Sequence, residues 1–345
     1  MASTLEPTVS MESDPPQGLA TLTGVQILAT GAYAPSNTVG NQDLVELGYD
    51  ADWIVQRTGI QERRRATEDQ ATSDLAVVAA ENCLQQAGLS PDQLDLILIG
   101  TMTPDTPTPS TACHVQRRIG AKCAAVDLNA ACAGFMYALV TGMQFIKTGC
   151  YRHVLAIGAD VMSRVVDPKD QKTFPLFGDA AGAVLLGKGE DRQGLISYTL
   201  GADGEGGQLI CLPGGGSRER LTTKTLEEAR QYIRMDGRPV FKWAVRFLAD
   251  TVLDVLRGTK LTPSDLDLVV FHQANMRIID SAVSDLELDR NKVLVNLDRY
   301  GNTSAASIPL VLDEAHRQGR IRRGDHVLLC GFGAGLAWGT AVVRW

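Results

Sequence analysis

The chain contains one sequence pattern twice, and this duplication constrains its fold more than any other feature. Residues 89–100 read LSPDQLDLILIG, and residues 261–272 read LTPSDLDLVVFH, a shift of 172 positions in a chain of 345 residues. The same shift, to within one residue, aligns 154–158 with 327–331, and 71–88 with 243–260. Three matches in register indicate that the two halves arose by duplication and fold alike.

Each half alternates apolar, strand-like runs with amphipathic segments, which is typical of an α/β fold with mixed sheets. The predicted strands are 25–30, 94–100, 124–127, 154–159, 183–187, 195–201, 268–271, 293–296, 327–332 and 340–345. The predicted helices are 42–47, 73–86, 113–118, 132–147, 237–256, 276–286 and 307–318. The segment 131–146 is almost wholly apolar, which predicts a helix buried on all sides. We therefore expect five layers, in the order helix, sheet, helix, sheet, helix.

The predicted boundaries follow from the same pattern. We expect a disordered tail over residues 1–20, a first half over 21–193 and a second half over 194–345. Residues 212–230 are Gly-rich and then charged, which predicts a surface insertion or flap.

Composition excludes several classes of protein. A net charge of −7, from 40 acidic and 33 basic residues, argues against general nucleic-acid binding. No apolar run approaches the roughly 20 residues that cross a bilayer. The first basic residue is Arg57, so no basic signal or transit peptide is expected, and we predict a cytoplasmic location. The seven cysteines are scattered, which predicts neither a disulfide framework nor a metal site.

Basic residues are nevertheless concentrated in places. Local positive patches on an acidic chain suit a phosphate-bearing or acidic partner. Any one of these basic residues could equally well belong to a solvated helix face. The concentrated basic residues are Arg57, Arg63, Arg64, Arg65, Lys242, Arg246, Arg277 and Arg299.

Cys132 stands at the start of the apolar helical run, among small residues. A thiol at a helix N-terminus feels the positive end of the macrodipole, which favours the nucleophilic thiolate. Taken alone, a cysteine among alanines is usually a small core residue. The shift of 172 aligns residues 131–134 with 303–306. Cys132 and Asn302 are therefore expected at two helix N-termini that face one site.

His272 ends the second copy of the repeated strand, at an edge where α/β proteins place their sites. Taken singly, it equally suits a core histidine, and Asn302 suits a helix N-cap. As a set, Cys132, His272 and Asn302 are far more specific than any one of them.

Three stretches around these residues carry a family resemblance: DLNAACAGF at 127–135, HQAN at 272–275 and GNTSAAS at 301–307. They resemble the active-site motifs of β-ketoacyl-[acyl-carrier-protein] synthase III, a condensing enzyme. The resemblance runs from about Gly24 to Trp345 and includes WIVQRTGI at 53–60, FGDAAGA at 177–183 and FGAGLAWG at 332–339. It implies a thiolase-like, five-layer αβαβα fold built from two pseudo-symmetric halves.

The resemblance also implies a reaction, the decarboxylative Claisen condensation of an acyl-CoA primer with malonyl-acyl carrier protein (ACP), which initiates fatty acid biosynthesis. Cys132 would take the acyl group as a thioester. His272 and Asn302 would hydrogen-bond the malonyl thioester oxygen as CO2 departs. Backbone N–H groups of Cys132 and Ala334 would form the oxyanion hole. No cofactor or metal is implied, because the CoA thioester is a substrate.

Binding roles and a homodimer are implied in the same way. The implied CoA- and substrate-binding residues are Trp53, Arg57, Thr108 and Phe332. The implied carrier-protein residues are Lys242, Arg277 and Gln273.

Three positions depart from the family pattern. Gln171 stands where an arginine helps to pack the CoA base, and Ala334 replaces the middle of three glycines. Thr108 stands where acetyl-selective members carry a phenylalanine that closes the acyl pocket. The smaller side chain leads us to expect primers longer or more branched than acetyl.

Other readings of the chain meet specific objections. A thiolase would use a second cysteine near the C-terminal Gly-rich turn, but Cys330 lies one residue too early, which reverses its side-chain face in a strand. A non-catalytic subunit would have lost its nucleophile, and residues 331–335 lack a full dinucleotide-binding pattern. A specialised relative from secondary metabolism stays open because of Thr108 and Gln171.

Overall fold

The structure, a computed structural model, describes residues 18–345, and residues 1–17 of the predicted tail lie outside the described residues. The strands are β1 (Ala20–Thr23), β2 (Val25–Tyr33), β3 (Thr38–Gly40), β4 (Glu62–Arg64), β5 (Leu96–Gly100), β6 (Ala124–Leu128), β7 (Val154–Asp160), β8 (Ala180–Lys188), β9 (Gly194–Ala202), β10 (Ile210–Cys211), β11 (Arg234–Met235), β12 (Leu268–Phe271), β13 (His326–Gly333) and β14 (Ala337–Arg344). The α-helices are α1 (Ala51–Thr58), α2 (Thr72–Ala87), α3 (Thr111–Ile119), α4 (Gly134–Lys147), α5 (Thr223–Glu227), α6 (Gly237–Arg257), α7 (Met276–Asp285), α8 (Leu297–Tyr300) and α9 (Ser307–Arg317).

Most of these strands belong to a pair of mixed sheets. Within residues 18–345, one sheet has the order β2-β8-β7-β5-β6 and the other has the order β1-β9-β14-β13-β12. In the first sheet β7 and β5 are parallel, and β8 is antiparallel to β7 and β2. In the second sheet β13 and β12 are parallel, and β14 is antiparallel to β13 and β9. The sheets therefore share one arrangement, as the duplication predicts.

Helices α4 and α9 lie between the sheets. Their apolar residues, such as Met136 and Leu312, form one buried cluster with Leu98 of the first sheet and Leu329 of the second. Helices α2 and α3 pack on the outer face of the first sheet, and α6 and α7 on the outer face of the second. The predicted order of five layers is confirmed.

The two halves differ at their sheet edges, and two predictions fail there. Ala20, assigned to the tail, begins β1, which pairs with β9 in the sheet of the second half. The strand predicted at 293–296 is reduced to one bridge between Val269 and Val293. Further along this segment, the backbone N–H of Asn296 donates to the Gln273 side chain and not to a neighbouring strand. Helix α1 was not predicted.

Residues 212–230, predicted to be a surface flap, are mostly exposed and include α5. The short hairpin of β10 and β11 lies at the base of this segment. Its two strands connect the exposed part to the interior of the molecule.

Candidate active site

Two short 3-10 turns precede the central helices and set up the site. The first turn, Ala131–Ala133, leads into α4, and the second turn, Ser304–Ala306, leads into α9. Each begins with a residue of positive φ, 46° at Ala131 and 51° at Ser304. This conformation costs a residue with a side chain about 1–2 kcal/mol and is concentrated at functional sites. Since Ser304 follows Ala131 by 173 positions, Cys132 corresponds to Ala305, one residue from the alignment predicted from the sequence.

Cys132 is the central residue of the first turn and lines a cavity of about 140 Å³. The hydroxyl of Ser304 donates a hydrogen bond to its Sγ at 3.4 Å. Burial raises the pKa of the Cys132 thiol to about 12, although the hydrogen bond from Ser304 acts in the opposite direction. The sequence predicted a thiolate stabilised by the helix N-terminus. Burial instead favours the neutral thiol.

His272 and Asn302 line the same cavity. His272 directly follows β12 and is only 2% exposed, with the ring of Phe332 packed edge-on against it. Burial lowers the pKa of His272 to about 3, so its imidazole is neutral at pH 7. Asn302 Oδ1 accepts a hydrogen bond from the backbone N–H of Ser304 at 2.9 Å, which leaves the amide N–H groups of Asn302 for a ligand. The structure thus brings the three predicted catalytic residues together.

The ends of β7 and β13 contact the two turns in equivalent ways but with opposite results. Asp160 ends β7, and Gly333 ends β13, again 173 positions later. Oδ2 of Asp160 accepts a hydrogen bond from the backbone N–H of Ala305 at 3.2 Å. At Gly333, an added Cβ would lie 2.8 Å from the backbone nitrogen of Cys132. The second turn therefore donates to a carboxyl group of the protein itself, whereas at the first turn the close approach of Gly333 to Cys132 excludes any side chain from the equivalent position.

This comparison supports the predicted oxyanion hole. Cys132 and Ala334 both line the cavity, and Gly333, the last residue of β13, directly precedes Ala334. The Asp160 carboxyl group accepts from the N–H of Ala305, and no side chain of β13 accepts from the equivalent N–H of Cys132. Backbone N–H groups already oriented towards an oxyanion stabilise its developing negative charge.

Most of the remaining cavity wall is apolar. Part of it comes from the first half, through Met102 and Met162, and part from the segment that carries the hairpin. An apolar wall with a few polar groups at one end suits a ligand with an acyl chain and a reactive carbonyl. The residues contributed by the hairpin segment and the start of α6 are Ile210, Cys211, Leu212, Ile233, Met235, Gly237, Val240 and Phe241.

The predicted CoA- and substrate-binding residues lie in several places, and only one of them, Phe332, belongs to the cavity wall. Trp53 and Arg57 lie on α1 and are exposed, and the backbone carbonyl of Arg57 accepts a hydrogen bond from Asn275 Nδ2 at 3.1 Å. Because Asn275 lines the cavity, α1 is held beside the cavity mouth. Thr108 is exposed and is not among the residues that line the cavity of the described chain.

Of the predicted carrier-protein residues, Lys242 and Arg277 are exposed. The Arg277 guanidinium lies 5.5 Å from the centre of the Phe241 ring, which belongs to the cavity wall. Gln273 requires a correction, because it is fully buried. Its amide donates to Phe271 O and accepts from the backbone N–H of Asn296, so it has no surface to offer to a carrier protein.

Arg63, which the sequence placed among the locally concentrated basic residues, lies in a different environment from the one predicted. Arg63 is fully buried, and its guanidinium donates to Val39 O, Asn41 Oδ1 and Pro175 O. Burial lowers the pKa of Arg63 to about 10. Arg63 therefore supports the fold and is not available to a phosphate. Gln171 is exposed, and its Nε2 donates to Gly48 O at 3.2 Å.

Three residues of the site were missed in the sequence: Asp160, Ser304 in its contact with the thiol, and Gly333. A signal for two of them was present, because the alignment of 154–158 with 327–331, extended by two residues, pairs Asp160 with Gly333. The objection to Cys330 agrees with the structure. Cys330 is buried in β13 beside Thr340 and lies outside the cavity lining among the described residues.

Two searches of the described residues gave negative results. Over residues 18–345, no group of three or more His, Cys, Asp or Glu side chains is placed to hold a metal ion. Over the same range, no helix combines the length and apolar character that crossing a membrane requires.

Known proteins match almost the whole chain. Residues 126–204 match the family 3-oxoacyl-[acyl-carrier-protein] synthase III, and residues 256–345 match its C-terminal part. The β-ketoacyl-[acyl-carrier-protein] synthase III of Rhodopirellula baltica is 58% identical over 95% of this chain and 100% of that protein. The solved 3-oxoacyl-[acyl-carrier-protein] synthase III of Aquifex aeolicus is 41% identical, with a TM-score of 0.86 over 93% of this chain and 100% of its own. The priming β-ketosynthase of the R1128 polyketide pathway is 33% identical, with a TM-score of 0.86 over 94% and 96% of the two chains.

Proposed function

This chain belongs to the 3-oxoacyl-[acyl-carrier-protein] synthase III family, and we propose that Cys132, His272 and Asn302 divide the reaction of that family between them. It is an acyltransferase with a thiolase-like fold. It condenses acyl-CoA with malonyl-ACP to a β-ketoacyl-ACP and so starts fatty acid synthesis.

In the first half-reaction, Sγ of Cys132 attacks the acyl-CoA carbonyl. The carbonyl oxygen becomes an oxyanion, which the backbone N–H groups of Cys132 and Ala334 stabilise. The C–S bond to CoA then breaks, CoA leaves as a thiol, and the acyl group stays on Cys132. The observation that carries this assignment is the absence of a side chain at Gly333, whereas the other half carries Asp160 at the equivalent position and bonds its own turn with it.

In the second half-reaction, His272 and Asn302 donate hydrogen bonds to the thioester oxygen of the malonyl group. As the carboxylate leaves as CO2, its bonding electrons form an enolate on that thioester, and both donors stabilise the charge. The enolate carbon attacks the acyl-Cys132 carbonyl and releases Sγ. A pKa of about 3 for His272 supports this role, because the imidazole stays neutral and is a donor rather than a charged acid.

The substrates are assigned to the cavity and its surroundings. Trp53 and Arg57, on the exposed helix beside the cavity mouth, bind the nucleotide end of CoA. Lys242 and Arg277 provide positive charge for the acidic carrier protein or its phosphopantetheine. The chemistry needs no cofactor or metal, because hydrogen-bond donors suffice for thioester decarboxylation.

The primer is longer or more branched than acetyl in this proposal, because Thr108 stands in place of a bulky phenylalanine. Thr108 lies outside the cavity lining of its own described chain, so this effect requires a second copy whose exposed loop reaches the cavity. A Thr108→Phe variant should keep its activity with acetyl-CoA and lose activity with branched or longer acyl-CoA. Equal primer preferences in the variant and the wild type would refute the role of Thr108.

A homodimer is part of the same proposal. Strand β6 forms an edge of the first sheet, and Val126 in it is 44% exposed. A sheet edge with exposed apolar residues favours pairing with another chain. Light scattering tests this assignment, and a monomer at micromolar concentration would contradict it. The cytoplasmic location stays a prediction.

Incubation with a panel of acyl-CoAs, followed by malonyl-ACP, tests the assignment of the catalytic residues. Intact-mass spectrometry should show an acyl adduct on the wild type and none on Cys132→Ser, and malonyl-ACP should clear the adduct with release of β-ketoacyl-ACP. The similarity to the priming ketosynthase favours, as a second candidate, a specialised condensing enzyme with an unusual primer. A wild type that accepts no acyl-CoA of the panel would favour that candidate.

A further inference from the structure

Arg63 lies beside the backbone that carries Asn302, and the mechanism above gives this contact no role. Arg63 is the central residue of β4, its side chain is fully buried, and Nη2 of its guanidinium donates to Pro175 O at 2.8 Å. The carbonyl of the next residue, Leu176, accepts the backbone N–H of Asn302 at 2.8 Å. One short stretch of chain therefore joins a buried guanidinium to a catalytic residue.

Asn302 is held by this stretch through both of its backbone groups. Its N–H donates to Leu176 O, and its carbonyl accepts the backbone N–H of Gly178 at 3.0 Å, so that Phe177 and Asn302 form a parallel bridge. The side-chain oxygen of Asn302 is also occupied, because it accepts from the backbone N–H of Ser304. The direction in which Asn302 presents its amide N–H groups therefore depends on the position of residues 176–178.

Two glycines bring the bridged segments against the Arg63 side chain. A Cβ added to Gly178 or to Gly301 would lie 3.2 Å from Cβ of Arg63. Gly301 directly precedes Asn302, and its φ of 67° lies in the left-handed region, which glycine adopts without strain. A side chain at either position would push against Arg63. The side chain of Arg63 therefore packs directly against both segments of the bridge.

The guanidinium of Arg63 is itself fixed at its other side. It donates to Asn41 Oδ1 at 2.7 Å and to Val39 O at 2.9 Å. Asn41 is also buried, and its Nδ2 donates to Ile60 O at 2.7 Å. A planar guanidinium with several acceptors has its orientation fixed by them. Arg63 therefore holds Pro175 O at a set position relative to the hairpin of β3 and β4.

We propose that Arg63 is a positioning residue for the decarboxylation step, because it fixes the backbone from which Asn302 presents its amide to the malonyl thioester oxygen. Arg63 is fully buried and is not among the cavity-lining residues of the described chain, so it acts through Asn302. The inference rests on the function proposed above, in which Asn302 serves the second half-reaction. The first half-reaction uses Cys132 and Ala334, which lie on other elements, and should not depend on Arg63.

The test measures both half-reactions in Arg63→Lys by rapid quench and intact-mass spectrometry. Lysine retains the charge but has one nitrogen in place of the planar fork, so the three acceptors cannot keep their positions around it. Clearance of the acyl adduct by malonyl-ACP should slow about 10–10²-fold, since a misplacement of about 1 Å costs up to that factor. Acylation by acyl-CoA should stay within about twofold, because its groups are not displaced.

Arg118→Lys is the matched control. The guanidinium of Arg118 donates to Ser73 and Asp74 in the outer layer of the first half, so this variant should perform both half-reactions at the wild-type rate. Equal slowing of both half-reactions in folded Arg63→Lys would overturn the inference, because a general loss of structure affects both steps. Wild-type rates in both half-reactions of Arg63→Lys would overturn it as well.

Asn41→Ala tests the same contact if Arg63→Lys does not fold. This substitution removes one acceptor of the Arg63 guanidinium and leaves the guanidinium in place. The same selective loss is expected at a smaller size, about threefold to tenfold in adduct clearance, and its absence would overturn the inference. Clearance of the adduct by Asn302→Ala at the wild-type rate would instead refute the proposed function of Asn302, so the two failures are distinguishable.

Discussion

The two halves of this protein present the same helix start to the same place and use it for opposite purposes. In the second half, the Asp160 carboxylate accepts the backbone N–H of Ala305. In the first half, the equivalent residue is Gly333, which has no side chain that could accept from Cys132, and Cys132 lines the cavity. The second turn is thus supported by a carboxyl group of the protein itself, and we assign the equivalent N–H of the first turn to the oxyanion of the substrate.

The halves also contribute different chemistry. The first half contributes the thiol of Cys132, at the start of α4. The second half contributes His272 after β12 and Asn302 before the second turn. We attribute acyl transfer to the first set and decarboxylation to the second. The nucleophile and the donors meet because the pseudo-symmetric turns face each other across the centre of the molecule.

A side chain at Gly333 should disturb the first turn and abolish most activity. In Gly333→Ala the new Cβ would lie 2.8 Å from the backbone nitrogen of Cys132, so Cys132 and its N–H would have to shift. We expect kcat/KM for acyl-CoA to fall by about 10²–10³-fold, as for the loss of an oxyanion-hole donor. Gly216→Ala is the control, because an added Cβ there meets nothing within 4 Å. A folded Gly333→Ala enzyme with wild-type kinetics would remove the basis of the comparison.

Asp160→Asn should weaken the support of the second turn. The amide either turns its N–H groups towards the donor at Ala305 or presents them to the donors at Thr101–Thr103. One buried donor is then left unsatisfied, so the free energy of unfolding should fall by about 1–3 kcal/mol. Urea denaturation measures this loss, with exposed Asp250→Asn as a control. Equal stability of Asp160→Asn and the wild type would show that the turn does not need this carboxylate.

Acid should destabilise the second half through His272. Its pKa falls from 6.5 to about 3 on folding, so between these values the unfolded chain binds a proton that the folded chain does not. The free energy of unfolding should therefore decrease by up to about 1.4 kcal/mol per pH unit as the pH falls below 6.5. Above pH 6.5, His272 should contribute no pH dependence to the free energy of unfolding.

The variant His272→Gln isolates this contribution. Asp160, whose pKa burial raises, acts in the opposite direction and is the same in both proteins. Urea denaturation at several pH values between 7 and 5 should give a shallower loss of stability for His272→Gln than for the wild type. Parallel slopes would mean that His272 is not held neutral by burial.

Much of the architecture was predictable from the sequence because duplication and local motifs are one-dimensional signals. The repeat at residues 89–100 and 261–272 predicts the five layers, and the strings around Cys132, His272 and Asn302 predict the catalytic set. The register error of one residue at Cys132 arises because the shift changes from 172 at β12 to 173 at β13. The sequence shows the shift of 173 at 154–158 and 327–331, and the positions of the two turns show that the change precedes Ser304.

The incorrect predictions concern residues whose surroundings are set by tertiary packing. Arg63 looks like part of a basic patch, yet three oxygen acceptors distant in sequence surround its guanidinium. Gln273 follows the catalytic histidine, yet its amide bonds the backbone at Asn296. Charge and proximity in sequence predict neither environment.

The most direct test of the division between the halves measures the two half-reactions separately in three variants. Intact-mass spectrometry with acyl-CoA, followed by malonyl-ACP, should show no adduct on Cys132→Ser. It should show a stable adduct on His272→Ala and on Asn302→Ala that malonyl-ACP does not clear. Failure of the His272 and Asn302 variants to form the adduct, while they remain folded, would contradict the division, as would release of β-ketoacyl-ACP by Cys132→Ser.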